Sequence, residues 1–275
     1  MNTIKALTLL VLMTNVSLAI TYRGDVSKTK YQTYGSKHSC VVRICAIVRD
    51  TKYNTCASGV VISPHIVVTA AHVMADVEDS RVVIGAKSYP IKAAVCPSSY
   101  TQKKYGFGDI AVCYVEKEIP LEFYVKLYEN KDEVGKVCSI AGWGRSGSFK
   151  SGHQSHTKKI RLAGSNIIEG TDRDMLMVSP SRSTSKTNTS LECIVSPGDS
   201  GGGMFVDGKL AGIHSVITTN VKNNGSKNML NGGYHCYSGS TRISVYRDWI
   251  IKTADQLTNF YKLTREINKA LLYTE

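Results

Sequence analysis

Three short segments of the chain carry side chains suited to nucleophilic chemistry. In chain order they are Thr69-Ala70-Ala71-His72, Gly108-Asp109-Ile110-Ala111-Val112 and Gly198-Asp199-Ser200-Gly201-Gly202. A serine hydroxyl is a weak nucleophile near neutral pH, so attack on a carbonyl needs a base that takes its proton as the bond forms. Imidazole suits that task, and a buried carboxylate beside it fixes the tautomer and stabilises the imidazolium. The oxyanion that develops needs donors already in place, and glycines around a serine let backbone N–H groups approach closely. The pattern offers Ser200 as nucleophile, His72 as base and Asp109 as the group that orients the base. Singly, each has a plain structural explanation: a core histidine, a strand cap, a turn serine. Their joint occurrence, beside apolar strands or in a glycine-rich turn, is what points to chemistry.

Such residues need a rigid frame. Short β-branched runs recur along the chain: Val60-Val61-Ile62, Ile66 to Thr69, Val82-Val83-Ile84, Ile110-Ala111-Val112 and Gly212-Ile213. Gly, Ser, Asn and Lys separate them, which predicts many short strands in an all-β barrel or sandwich. Arg145 to Lys159 and Thr218 to Gly233 are rich in small and polar residues and read as exposed loops. From Ser244 onward, Val245, Trp249, Leu263, Ile267 and Leu271 recur at helical spacing. That predicts a C-terminal amphipathic helix packed on the β body, with a membrane-surface helix as the competing use.

Composition narrows the setting. The chain has 275 residues, 42% of them hydrophobic, which excludes a disordered chain and allows one large β domain or two smaller cores. Lys5, the apolar run Ala6 to Met13 and the small residues of Ser17-Leu18-Ala19 form an export leader, with cleavage expected after Ala19. No run of about 18 apolar residues exists, so no membrane-spanning helix is expected. Export implies an extracellular or periplasmic location. The eight cysteines (Cys40, Cys45, Cys56, Cys96, Cys113, Cys138, Cys193, Cys236) then favour disulfides, and no C-x-x-C spacing supports a zinc or redox motif. His153 and His156 lie three apart, but no third ligand accompanies them, so neither metal nor cofactor is expected. Asn188-Thr189-Ser190 and Asn224-Gly225-Ser226 are glycosylation sequons. The net charge of +12 comes with no nucleic-acid motif.

In their order, TAAH, GDIAV and GDSGG resemble the chymotrypsin/trypsin-like family of serine proteases. The order His, Asp, Ser sets this pattern apart from other serine hydrolases. Val137 to Gly144 resembles the family's segment opening the second barrel, and Thr241 to Ile250 its last strand and closing helix. The resemblance runs roughly from Cys40 to Ile251. It implies two six-stranded antiparallel β-barrels with a C-terminal α-helix. An N-terminal barrel over 20–130 would carry His72 and Asp109; a C-terminal barrel over 131–275, with the closing helix, would carry Ser200. It also implies an oxyanion hole from the N–H groups of Gly198 and Ser200, with Ser215 supporting Asp109.

Further residues follow from the same resemblance. In the family a freed aliphatic N-terminus pairs with the aspartate before the serine, here Asp199. No I-V-G-G follows a basic residue, but cleavage after Ala19 would itself expose Ile20, which is expected to play this part without a propeptide. Trypsin-like members carry Asp six residues before the serine; here it is Ile194, so cleavage after Lys or Arg is not expected. His214, in Gly212-Ile213-His214-Ser215, resembles the histidine of glutamyl endopeptidases and of viral chymotrypsin-like proteases. It suggests cleavage after Glu or Gln, with a small or hydrophobic residue as the alternative. Those groups carry a hydroxyl five before the nucleophile, where this chain has Val195 with Ser196 next to it. The usual cysteine beside the catalytic histidine is Val73, and the usual partner of Cys138 is Val206. Cys193 and Cys236 flank the serine and the specificity pocket and are expected to pair; Cys45 and Cys56 could bridge a hairpin. The expected protein is a monomeric secreted endopeptidase acting on proteins or peptides. The competing readings are a non-proteolytic homologue that binds anionic partners, and an esterase using the same mechanism.

Overall fold

The structure is a computed structural model that describes residues 20–51, 53–102, 106–154, 160–181, 189–219, 232–234 and 236–272. His156, His235 and the 224–226 sequon lie outside the described residues, as does Asn188. The chain opens with β1 (Thr21–Tyr22) and α1 (Lys28–Ser36), whose N-cap Ser27 Oγ accepts from Thr29 N. Next come β2 (Val41–Val48), β3 (Asn54–Ser63), β4 (Ile66–Thr69), the short α2 (Ala71–Met74), β5 (Val77–Ile84), β6 (Lys87–Val95) and β7 (Ala111–Val115). These six strands close into an antiparallel barrel in the order β2-β3-β4-β7-β6-β5. The β-branched runs read from the sequence form its interior: Val60, Val61, Ile66, Val67, Val68, Ile110 and Val112 are all buried.

The C-terminal half spreads its strands over two sheets. Its elements are β8 (Val137–Gly142), β9 (Gly147–Ser148), β10 (Gly152–His153), β11 (Leu162–Ile167), β12 (Gly170–Asp172), β13 (Met175–Val178), β14 (Cys193–Ile194), β15 (Gly203–Val206), β16 (Lys209–Thr219), β17 (Cys236–Arg242) and α3 (Ile243–Leu272). A seven-stranded sheet runs β11-β8-β15-β16-β17-β13-β12, and a four-stranded one runs β10-β9-β1-β14. The two ends of the chain cross over. Ile20 and Tyr31 are buried in the core of the C-terminal half, while Ile243, Tyr246 and Ile250 from α3 complete the core of the barrel.

Three expectations are corrected here. The 145–159 stretch is not simply an exposed loop: Gly147 to Ser148 pairs with β1, and Phe149 is buried with its N–H on Tyr22 O. Gly147 lets β10 close on β9, since a Cβ there would come within 1.8 Å of Gly152 O. Secondly, the apolar stripe of α3 packs on the β body only through Trp249. Phe260, Leu263, Ile267 and Leu271 are 50–62% exposed, and Val245 is also exposed. The packing face is instead Tyr246, Trp249, Ile250, Ala254, Leu257 and Tyr261. Tyr261 stacks on Tyr114 at 4.2 Å, Arg265 donates to the Tyr114 hydroxyl, and after Thr264 the helix residues through Leu271 are exposed. Thirdly, no two cysteine sulfurs among the described residues stand at disulfide distance, so the expected bridges, Cys193 to Cys236 included, are not shown. Cys45 and Cys56 face each other across β2 and β3 with their sulfurs 3.0 Å apart, longer than the roughly 2.05 Å of a disulfide bond.

Candidate active site

The barrel sets the distance between the first two residues. β4 and β7 are neighbours with Thr69 opposite Ala111, so His72 leaves one strand beside the point where Asp109 enters the other. Asp109 Oδ1 accepts from His72 N at 2.9 Å, and Oδ2 lies 2.8 Å from His72 Nδ1. Ser215 Oγ donates to the same Oδ2 at 2.5 Å. Burial opposes ionisation of Asp109, but the hydrogen bonds from His72 and Ser215 outweigh it and hold the carboxyl below its usual range. The imidazole is 40% exposed, open to the cleft, whereas the carboxylate is 11% exposed. This tautomer, with Nδ1–H on the carboxylate, leaves Nε2 as the acceptor a base needs.

Asp109 is also fixed from the other half of the molecule. Thr241 Oγ1 donates to its carbonyl at 2.9 Å. Tyr246 OH, from the first turn of α3, accepts from Gly108 N at 2.9 Å and donates to Asp174 Oδ2 at 2.5 Å. The Thr241 to Ile250 segment was marked only as a last strand and closing helix, and nothing in the sequence pointed to Thr241, Tyr246 or Asp174 as supports of the site, because their partners lie far away along the chain.

Ser200 sits in a loop held by backbone bonds. Asp199 N donates to Ser196 O, Gly202 N to Asp199 O, and Gly201 N to His214 O. Ser200 O accepts from Ser58 N at 2.8 Å across the junction of the two halves. Gly198 has φ +95°, a conformation open to glycine and strained for other residues, and a Cβ there would meet Gly144 Cα at 2.8 Å. The N–H groups of Gly198 and Ser200 have no acceptor among the described residues. Nor is there a hydrogen bond between Ser200 Oγ and His72 among them; such bonds commonly tighten only when substrate binds.

Asp199 points away from Ser200 into the interior. It is fully buried, and its carboxylate accepts from Ile20 N at 2.8 Å, Ser196 N at 2.7 Å and Gly144 N at 2.8 Å. Burial raises its pKa to about 6, with the three N–H donors pulling the other way. Ile20 itself is 0% exposed with φ +53°, the left-handed region in which a β-branched residue is an outlier.

The specificity residues form a different environment. Ile194 pairs with Thr21 between β14 and β1, and both are buried; Val195 and Ser196 are buried next to them. Ser196 Oγ donates to Arg145 O. His214 is fully buried, with Nδ1 2.9 Å from Ser240 Oγ. Burial pushes its pKa down to about 3, against the pull of the Ala141 and Gly203 carbonyls, so the ring is neutral. Among the described residues, His214 Nε2, Ser238 Oγ and Thr21 Oγ1 are buried with no hydrogen bond that meets ordinary geometry. Ser238 and Ser240 were not marked in the sequence.

Comparisons place this arrangement among known proteins. Comparison with curated protein sequences gives no match. Among solved structures, mouse neuropsin, a serine protease, superposes with a TM-score of 0.60 at 18% identity, covering 85% of this chain and 98% of its own. HL collagenase gives 0.62 at 17%, covering 82% and 97%. The human heparin binding protein gives 0.56 at 17%, covering 78% and 91%. These likenesses establish the fold. In sequence, residues 30–250 match the family described as Trypsin, a span that takes in both halves of the fold and all three motif segments. The chain belongs to the trypsin family of serine endopeptidases.

Proposed function

We propose that this chain is an exported endopeptidase that hydrolyses peptide bonds through Ser200, His72 and Asp109. The observation that carries this reading is the Asp109 carboxylate, bonded at once to both the ring and the backbone N–H of His72 and to Ser215. Ser200 Oγ attacks the scissile carbonyl while His72 Nε2 takes its proton. The oxygen of the tetrahedral intermediate is held by the N–H groups of Gly198 and Ser200. Collapse breaks the C–N bond, and His72 returns the proton to the departing amine. Water, deprotonated by His72, then releases the acyl group and restores Ser200. Turnover of denatured protein substrates, absent in Ser200→Ala, tests this; cleavage of simple esters with no peptide cleavage would favour the esterase reading.

Removal of the leader switches the site on. Cleavage after Ala19 replaces an amide N–H with an ammonium 2.8 Å from the buried Asp199 carboxylate. It also frees Ile20 of a strained φ, which costs on the order of 1–3 kcal/mol in the uncut chain. Sequencing the N-terminus of the active secreted protein tests this, and a start well downstream of Ile20 contradicts it.

The chain does not cut after Lys or Arg, since Ile194 offers no carboxylate to a cation. Cleavage after Gln or Glu is our proposal for specificity. With Nδ1 accepting from Ser240, His214 Nε2 carries a proton that makes no well-formed hydrogen bond, although the Ala141 and Gly203 carbonyls lie near the ring, and a substrate side-chain oxygen would supply the better acceptor. A second reading, cleavage after a small apolar residue, is favoured by Ile194, Val195 and the complete burial of His214. A peptide-library digest read by mass spectrometry separates the two. Binding of anionic partners without cleavage remains the competing function. The human heparin binding protein and an inactivated protease paralogue of the scabies mite show that this fold exists under such names; the intact Asp109–His72 pair argues against it here.

A further inference from the structure

Ser58 lies on β3 and is fully buried at the junction of the two halves. Each of its hydrogen-bonding groups is engaged. Its N–H donates to Ser200 O at 2.8 Å, and its carbonyl accepts from Thr69 Oγ1 at 2.8 Å. Its hydroxyl donates to Gly198 O at 3.1 Å and accepts from Trp143 N at 3.0 Å. One small side chain and its peptide groups therefore join the strand that leads to His72, the Gly198–Ser200 loop and the segment that follows β8.

Building on the reading of Ser200 as nucleophile, we propose that Ser58 is a positioning residue that sets the oxyanion hole. The two donor N–H groups belong to the 197–198 and 199–200 peptides. The peptide between them is held at its carbonyl by Ser58 Oγ and at its N–H by Ser196 O. Ser58 N–H holds the carbonyl that follows the second donor. Gly198 has no side chain to restrain the loop, and its φ of +95° lies where glycine is unusually free to move. A pin from outside the loop keeps both donors aimed at one point, which is the condition for oxyanion stabilisation. Thr69 Oγ1 in turn fixes Ser58, so the pin is tied to the strand that leads into the base.

Ser58→Ala removes the hydroxyl and keeps both backbone bonds. With active sites counted by a serine-directed phosphonyl fluoride, kcat per site is expected to fall about tenfold while KM is unchanged, a loss confined to the transition state. Affinity for a peptide aldehyde, whose hemiacetal oxygen occupies the oxyanion position, is expected to fall by the same factor. Ser58→Thr keeps the hydroxyl and is expected to restore most of the rate. Thr69→Val, nearly isosteric, removes only the bond to the Ser58 carbonyl and is expected to show a smaller loss of the same kind; it serves as the test where the extra methyl of Ser58→Thr is not accommodated. Wild-type kcat per titrated site in Ser58→Ala overturns the role, as does a loss that appears only in the number of titratable sites. Failure of the reagent to label Ser200 in the unmodified protein is a different result, and overturns the nucleophile itself.

Discussion

The catalytic centre and the specificity region treat their polar groups in opposite ways. Around Asp109 every oxygen is met: His72 twice, Ser215 and Thr241, with Tyr246 fixing the preceding N–H. Around His214 the hydrogen bonding is incomplete: among the described residues His214 Nε2 and Ser238 Oγ are buried and make no well-formed hydrogen bond. A buried polar group without a partner costs about 1–3 kcal/mol, so these two are a cost that substrate binding could relieve. The difference teaches that one region is finished before substrate arrives and the other is not. Preorganised groups serve the transition state, while unmet donors and acceptors can select a side chain.

The contrast can be broken at several points. The largest effect is expected from His72→Ala, which should lower kcat/KM on a cleaved peptide on the order of 10⁴-fold or more, measured by initial rates with a fold check by circular dichroism. Next, Asp199→Asn should lower kcat/KM on the order of 10²- to 10³-fold, because the oxyanion loop loses the partner of the Ile20 ammonium. His214→Ala should erase any Gln or Glu preference, changing the ratio of kcat/KM values for Gln and Ala peptides roughly tenfold or more. Unchanged preference in that variant would place His214 among satisfied core residues. Smallest, Leu263→Lys should alter the unfolding midpoint little, within about 0.5 kcal/mol, since that side chain is already 57% exposed.

A pH dependence sharpens the role of Asp199. With its pKa raised to about 6 in the folded chain, the proton is held more tightly than in the unfolded one, where the usual value is 3.8. The folded state is therefore favoured at low pH, and that advantage is lost as pH rises through about 6 unless a cation arrives. On the proposed processing, the Ile20 ammonium is that cation. Thermal unfolding of leader-bearing and processed protein should differ most near pH 7–8 and converge below pH 5. Equal differences at both pH values would separate Asp199 from activation.

The chemistry was legible in the sequence because it sits in contiguous motifs. His72, Asp109 and Ser200 each carry their glycine or strand context beside them, and β4 pairing with β7 then follows from two apolar runs. The groups that hold them were not legible. Ser58 reaches Gly198 across 140 positions, Tyr246 reaches Gly108 across 138, and Thr241 reaches Asp109 across 132. Nothing local distinguishes such a serine, tyrosine or threonine from its neighbours. The closing helix and its contact at Trp249 were legible, but the rest of its packing face was not. Periodicity reports an apolar stripe, but the barrel ends near Tyr114 and Tyr261, and the stripe continues past it. The Arg145 to Lys159 stretch reads as a loop for the converse reason, since its small residues belong to a short hairpin of β9 and β10 on which the N-terminal strand pairs.

The most direct test treats the secreted, processed protein with a serine-directed phosphonyl fluoride and maps the adduct by mass spectrometry. The account predicts one adduct, on Ser200, formed with loss of all peptidase activity and not formed at a comparable rate in His72→Ala. An unmodified Ser200 in active protein, or equal labelling with and without His72, would contradict it.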